Sequence, residues 1–195
     1  MKLNKQYWNQ RYLQQNTPWD VGMITTPIKD YVDQLTNKEL KILIPGVGSG
    51  HELMYLYKKG FKNVYGLDIS EEALKKFMAK NPAFPKEQLI LEDFFTHEQS
   101  YDLILEQTFF CALDPILRPL YVQKMETLLT SKGTLAGVLF SFPFTTQGPP
   151  FGGSKEEYCK LFENNFTDIY ISSCYNSIKP RKNNELFILI KKQHD

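Results

Sequence analysis

The chain has 195 residues, 42% of them hydrophobic and 14% aromatic, which fits one domain with a full-sized core and excludes a disordered or low-complexity polymer. Its 23 Lys and Arg against 22 Asp and Glu leave a formal charge of +1, so nothing points to a nucleic-acid partner, and the cluster Lys179, Arg181, Lys182 is expected to be a solvated loop. Cys111, Cys159 and Cys174 form no C-x-x-C pair, and His51, His97 and His194 have no ligand spacing, so neither a disulfide framework nor a metal site is expected.

Residues 2–15 have the pattern of an amphipathic helix, with Leu3, Tyr7 and Trp8 on or near one face and Tyr12 one turn on from Trp8. Asn16, Thr17 and Pro18 end it, and Trp19, Asp20, Val21 and Gly22 form a loop. Thr26 and Pro27 have the form of an N-cap and first helical residue for a helix to about Leu35. This segment precedes the first strand and has to pack on the core from outside. Trp8 and Trp19 are then either ordinary core aromatics or a lid over a ligand.

Residues 41–69, KILIPGVGSGHELMYLYKKGFKNVYGLDI, are the stretch around which the rest of the chain is organised. An apolar run from Ile42 to Ile44 breaks at Pro45 into a loop with Gly46, Gly48 and Gly50, and a helical pattern of Leu53, Met54, Leu56 and Tyr57 comes next. Gly60 can cap that helix, and a second strand, residues 63–67, ends at the acidic Asp68. In an open parallel sheet this places a small-molecule crevice at the carboxyl ends of the strands, with a carboxylate positioned to accept both ribose hydroxyl hydrogens. An adenosine-type cofactor site is the reading. The third glycine comes one position too early for the dinucleotide fingerprint G-x-G-x-x-G. G-x-G-x-G after an apolar strand instead resembles the first motif of class I methyltransferases. A plain tight turn between strand and helix is the simpler alternative.

Ser70 opens a helix with Glu71 and Glu72 in its first turn and Leu74, Phe77 and Met78 facing inward, ending near Asn81 and Pro82. A third strand, residues 88–91, leads to Glu92, Asp93, Phe94 and Phe95, where an adenine could stack on Phe94 with Asp93 accepting from its amine; a turn carboxylate is the alternative for Asp93. The fourth strand, residues 101–105, ends at Glu106, Gln107 and Thr108 before Phe109, Phe110, Cys111, Ala112 and Leu113. Asp114 and Pro115 have the form of a cap and first residue for a helix to about Leu129. Ser131, Lys132 and Gly133 turn the chain into a fifth strand, residues 134–140, followed by a glycine- and proline-rich loop, residues 145–153, and a helix, residues 154–163. Two last strands, residues 168–174 and 186–192, are expected to be antiparallel at the sheet edge. The start MKLNKQYWNQ has no apolar signal core, and the longest apolar run, near residues 135–142, is too short for a bilayer, so a cytoplasmic protein without a membrane partner is expected.

With these residues in view, the chain resembles the thiopurine methyltransferase family, most of all its halide and thiol methyltransferase branch, over nearly its whole length. The resemblance rests on Trp8 with Thr17-Pro18-Trp19-Asp20-x-Gly22, Pro45-Gly46-x-Gly48-x-Gly50-His51, Gly66-Leu67-Asp68-Ile69-Ser70 and Glu92-Asp93-Phe94-Phe95. Further on it includes Tyr101-Asp102-Leu103-Ile104, Phe109-Phe110-Cys111-Ala112 and Gly148-Pro149-Pro150. It implies an α/β, Rossmann-like class I methyltransferase fold, with a mostly parallel seven-stranded sheet, an antiparallel edge strand and helices on both faces. Residues 1–38 would be a helical cap and 39–195 the core of a single domain. It implies S-adenosylmethionine as cofactor, with Trp8, Tyr12 and Trp19 closing over it, Gly46, Gly48 and Gly50 forming its loop, and Gly46 at its methionine part. Asp68 would lie at the ribose, Asp93 and Phe94 at the adenine, and Gln107 beside the sulfonium, with Ile69 also a cofactor contact. Two positions depart from the branch. Tyr12 stands where tryptophan is frequent, and Phe151 stands where a tyrosine usually follows Gly-Pro-Pro, which removes a hydroxyl from the acceptor side.

Methyl transfer to an anionic acceptor needs little acid or base chemistry, which suits a chain with no evident nucleophile and base pair. The expected function is methyl transfer to a small soft nucleophile, a thiol, thiopurine, halide or thiocyanate, by a monomer. The acceptor would lie in a pocket walled by Phe109, Phe110, Pro149, Pro150 and Phe151. Each of these is equally a plausible core residue. The rivals are a non-catalytic sensor of the cofactor or its product and a nicotinamide-dependent oxidoreductase.

Overall fold

The computed structural model describes residues 2–143 and 147–192, so Thr145, Thr146 and His194 lie outside the described residues. Helices α1 (Lys5–Leu13) and α2 (Thr26–Asp33) precede strand β1 (Lys41–Pro45), and α3 (His51–Lys58), β2 (Asn63–Asp68), α4 (Glu71–Lys80) and β3 (Leu89–Leu91) follow in alternation. Then come β4 (Tyr101–Gln107), α5 (Arg118–Leu128), β5 (Leu129–Phe140), α6 (Lys155–Phe162), β6 (Asp168–Ser173) and β7 (Glu185–Lys191). The seven strands form one sheet in the order β3-β2-β1-β4-β5-β7-β6. β1 to β5 pair in parallel, and β7 runs antiparallel between β5 and β6. The order reverses at β1, between β2 and β4, which is where an open sheet of this kind offers a crevice at its carboxyl edge.

β1 reads as an unbroken apolar run because both of its faces are covered. Ile42 and Ile44 pack with Leu103, Leu105 and Ala136 under Ile28, Val32, Leu53, Leu56 and Phe77 of α2, α3 and α4. Leu43 points the other way, into a core of Ile104, Leu135 and Ile188 under Tyr121, Met125, Tyr158 and Phe162 of α5 and α6. No described helix is long and apolar enough to cross a membrane.

Most helix ends follow local chemistry. The Ser70 side chain caps α4 through the Ala73 amide, and Ser154 and Glu157 cap α6 reciprocally. α2 begins one residue before the expected position, with Thr25 as its N-cap, and the Thr25 hydroxyl makes no cap bond because it donates to Gln107 Oε1 at 2.8 Å. Asp114 caps a single tight turn, Pro115–Leu117, before α5 starts at Arg118. The expected turn at Ser131 to Gly133 is absorbed into β5, where the register against β4 slips between Tyr101 and Leu103. α1 is fastened across the mouth of the sheet, with Asn9 Oδ1 accepting from the Ser70 hydroxyl and the Glu72 amide, and Lys76 Nζ donating to the Tyr12 carbonyl.

Candidate active site

The glycine turn after β1 is built by backbone need. Gly46, Gly48 and Gly50 take φ of +60°, +53° and +69°. A β-carbon at Gly46 would lie 2.5 Å from the Phe109 ring, and one at Gly48 would lie 2.7 Å from the Tyr12 hydroxyl. Gly50 serves a different purpose from the other two, since its β-carbon would run into the buried Phe77 ring at 2.3 Å. It lets α3 approach α4, while Gly46 and Gly48 bring bare backbone to the sheet edge.

Asp68 closes this turn from β2. Its Oδ2 accepts from Gly48 N at 2.9 Å and its Oδ1 from Ser70 N at 2.8 Å. A carboxylate has about four acceptor positions, so two amides leave it able to accept further hydrogens. The side chain is buried, and burial pushes its pKa up to about 6, against the amide hydrogen bonds that favour the ion. Ile69 beside it is half-buried.

The three expected lid aromatics meet. Trp19 packs edge-on against Trp8 at 5.6 Å and against Tyr12 at 6.1 Å between ring centroids, with the Arg11 guanidinium 5.1 Å from the Trp19 ring. Burial, with the Asp68 charge adding to it, pushes the Tyr12 phenol well above its usual range. The loop after Trp19 is latched to the glycine turn by Asp20, which accepts from the Ser49 hydroxyl and the Gly22 amide and meets His51 Nε2 at 2.7 Å. Burial of Asp20 opposes its ionisation, but Ser49, Gly22 and His51 outweigh it and hold the carboxyl below its usual value. Arg181 adds a second latch, donating to the Trp19 carbonyl at 2.9 Å.

At the turn after β3, Asp93 is exposed and its Oδ1 accepts from Phe95 N at 2.9 Å, which is the turn role. Phe94 is 3% exposed, with its ring enclosed by Phe95, Phe109 and Tyr121 at 5.0 to 5.8 Å, so the open stacking face expected for it is taken up by core packing. The expected acceptor walls also divide. Phe109 is half-buried and stands against Gly46. Phe110 is 1% exposed, wedged between Tyr121 and Tyr158 with Arg118 over its ring at 4.8 Å, and belongs to the core. Phe151 is buried and its amide donates to the Cys111 carbonyl, Pro149 is half-buried, and Pro150 is exposed.

Glu106 explains why two adjacent phenylalanines part. Its Oε1 accepts from both Phe109 N and Phe110 N, at 2.8 and 3.0 Å, and its Oε2 accepts from the Tyr121 hydroxyl at 2.6 Å. Burial pushes this carboxyl up to about 7 against those three bonds. An acid ending an apolar strand was the available signal for it. Beside it, Gln107 holds Thr25, while its Nε2 is buried with no hydrogen-bond partner among the described residues. Arg181 NH1 and both carboxylate oxygens of Glu185 are in the same condition. Arg181, expected in a solvated loop, is 8% exposed because it reaches inward to Trp19, whereas Lys179 and Lys182 are exposed. Nothing local marks it out from its two neighbours.

The family model for thiopurine S-methyltransferase matches residues 3–189. "Probable thiol methyltransferase 2" of Arabidopsis thaliana is 35% identical over 184 residues, covering 91% of this chain and 81% of that protein. "Thiocyanate methyltransferase 1" of the same plant is 34% identical over 149 residues, covering 74% of this chain and 65% of that protein. For the fold, the magnesium protoporphyrin IX methyltransferase of Synechocystis, solved with bound S-adenosylmethionine, superposes with a TM-score of 0.70 at 14% identity, over 97% of this chain and 95% of that one. The chain belongs to the thiopurine S-methyltransferase family, whose members use S-adenosylmethionine as methyl donor.

Proposed function

We propose that this S-adenosylmethionine-dependent S-methyltransferase acts on small, soft, anionic nucleophiles: thiolates, hydrosulfide, thiocyanate or halide. The observation that carries this reading is two buried donors at the carboxyl edge of the sheet that make no hydrogen bond among the described residues: Gln107 Nε2, and Arg181 NH1, which has only the Glu185 carboxylate at 3.5 Å. Buried donors without hydrogen bonds are costly, and an acceptor anion would satisfy Gln107 Nε2 and share Arg181 with Glu185. Thiolate, thiocyanate and the heavier halides are weakly hydrated, so they lose little on entering such a place.

The residues fit the cofactor. Glycine at 46 and 48 lets the turn close against Phe109 and Tyr12 where a β-carbon would strike them, keeping bare backbone at the sheet edge, and Asp68 retains acceptor capacity for ribose hydroxyls. Gly46 would face the methionine part, with Gly48 and Gly50 shaping the loop. Asp68 and Ile69 would hold the ribose, and the exposed Asp93 at the Phe94 turn the adenine edge. Trp8, Tyr12 and Trp19 would cover it. When bound, the cofactor supplies a methyl group on a cationic sulfur, whose charge disappears as the acceptor bonds to carbon. The chain's own part is to hold the acceptor anion in line through Gln107 and Arg181 and to exclude water with Trp19, Phe109 and the Pro149–Phe151 segment. Positioning of this kind is worth up to about 7 to 11 kcal/mol.

The test is mass-spectrometric detection of S-adenosylhomocysteine and methylated product from purified protein given S-adenosylmethionine and a panel of halides, thiocyanate, sulfide, alkyl and aryl thiols and thiopurines. Turnover of the small anions and thiols is expected. Binding of S-adenosylmethionine with no turnover on any of them would overturn the reading in favour of a sensor.

A further inference from the structure

Glu185 is a buried carboxylate whose described polar neighbours are Arg181 and the Ser177 hydroxyl. It opens β7 opposite Phe140, the last residue of β5, and so lies at the carboxyl edge with the rest of the site. Only 3% of it is exposed, neither carboxylate oxygen accepts a hydrogen bond among the described residues, and Arg181 NH1 stands 3.5 Å from Oε1 at ion-pair distance. The ladder carries Gln107 to Val138 and Val138 to Phe187. Glu185 is two residues from Phe187, so its side chain leaves the sheet on the same face as that of Gln107, two strand spacings across and two residues along the strand, about 12 Å between α-carbons. Between β4, β5 and β7 lies a small cavity with room for about one water-sized group, lined by Glu185, Glu106, Thr108, Cys111, Val138 and Phe140.

We infer that Glu185 is the proton acceptor for thiol substrates, taking the S–H proton while Arg181 and Gln107 hold the thiolate that results. This rests on the S-methyl-transfer reading above. Of the other acids nearby, Glu106 accepts three hydrogen bonds that hold the Phe109 turn, Asp20 accepts those that latch the loop after Trp19, and Glu52 of α3 is bonded to its own backbone amide. The balance is simple. The S–H bond breaks and its electron pair stays on sulfur, the proton forms an O–H bond on Glu185, and the thiolate sulfur bonds to the methyl carbon as the carbon–sulfonium bond breaks. The proton then leaves Glu185 to solvent.

Charge makes the transfer economical. Before it, Arg181 is paired with Glu185; after it, Arg181 faces the thiolate and Glu185 is neutral, so the buried net charge does not change. Burial already raises the Glu185 carboxyl, against the pull of the Ser177 hydroxyl and Arg181, which favours the protonated form this step creates. The other charged or titratable groups around the pair are Cys174 beside it, Glu106 and Cys111 across the cavity, and Glu52 of α3 near Arg181. A halide or thiocyanate ion brings a charge without a proton, so it enters beside Arg181 only if Glu185 first takes a proton from solvent.

The experiment compares wild type and Glu185→Gln, full-length, on an alkyl thiol and on thiocyanate at pH 7. The expected result is a 10- to 100-fold fall in kcat/KM for the thiol together with a rise for thiocyanate, whose repelling neighbour is gone. Parallel losses on both acceptors, or an unaffected thiol, would overturn the role of Glu185. A second readout needs neither turnover nor the variant. Calorimetry of thiocyanate binding to the wild-type complex with S-adenosylhomocysteine, in two buffers of different ionisation enthalpy at pH 8, is expected to show proton uptake; no uptake overturns the proposal even if the variant fails to fold. Wild-type turnover of neither acceptor would instead remove the S-methyl-transfer reading itself.

Discussion

The Tyr12 hydroxyl stands 2.7 Å from where a β-carbon on Gly48 would be. The first helix and the glycine turn therefore touch at the point where the turn, the proposed cofactor loop, needs bare backbone. Gly48→Ala has to place a methyl group at φ +53° and displace Tyr12 at once. The left-handed backbone alone costs about 1 to 2 kcal/mol, or a few degrees in Tm for a chain this size. Loss of affinity for S-adenosylhomocysteine is expected to be larger, about tenfold or more, because the lid moves with Tyr12. Gly60→Ala is the control. It has φ +85° and nothing within 4 Å, so it carries the backbone strain with no change in affinity. Equal affinities for the two variants in a titration would show that Gly48 is a turn residue and no more.

Asp68 predicts a pH dependence of cofactor binding. Its carboxyl is raised from 3.8 to about 6, so the folded protein holds this proton more tightly than the unfolded chain does. Its contribution to stability is fully present at low pH and falls as pH rises through the window from about 4 to about 6. Ribose hydroxyls donate to the ionised form, so binding runs the other way. Affinity should reach a plateau above pH 7 and be about tenfold weaker at pH 5. Asp68→Asn should bind weakly at every pH with a flat profile. A wild-type affinity independent of pH between 5 and 8 would remove Asp68 from the ribose.

The Asp20 latch should not contribute to that profile. Its carboxyl is held below 3.8, so its stabilising hydrogen bonds are complete above that value and are lost only as pH falls beneath it. Asp20→Ala removes bonds to Ser49, Gly22 and His51, and hydrogen bonds to a charged group are each worth about 1.5 to 3 kcal/mol. Because the latch joins the lid loop to the glycine turn, the loss is expected to be local. Amide exchange should speed up between Lys5 and Thr25 with little change in the central strands, and cofactor affinity should fall. Unchanged exchange in that segment would mean the lid is held by its aromatic packing and by Arg181 instead.

How much of the fold and site is legible in the sequence depends on how far away each residue's partner lies. The glycine turn, the Asp68 strand end and the Ser70 cap are decided within a few residues, and they stand where local patterns put them. Thr25 is different: its hydroxyl is bound 82 residues away at Gln107, so the helix start is shifted by one position. Arg181 looks like its solvated neighbours because what buries it, the Trp19 carbonyl, is 162 residues distant. Phe94 and Phe110 look like ligand-facing aromatics beside a strand end, yet Glu106 and the rings of Tyr121 and Tyr158 draw them inward. No period or motif marks such packing.

Phe109 and Phe110 give the sharpest separation of site from core, since they are adjacent and identical in chemistry. The Glu106 carboxylate pins both amides, which turns Phe109 toward Gly46 and Phe110 between Tyr121 and Tyr158. Phe110→Ala leaves a cavity in a closed core and is expected to cost about 3 to 5 kcal/mol, roughly 10 °C or more in Tm. Its kcat/KM at a temperature where it is folded should stay within a few-fold of wild type. Phe109→Ala is expected to do the reverse. It should lower Tm by only a few degrees while kcat/KM falls tenfold or more for every acceptor, because water reaches the place where the acceptor must be held dry. Thermal melts and steady-state kinetics on the two variants, made side by side, check both halves. If Phe109→Ala stayed folded and left kcat/KM unchanged for all acceptors, Phe109 would be a support for the glycine turn and the acceptor wall would have to be sought in Trp19 and the Pro149–Phe151 segment.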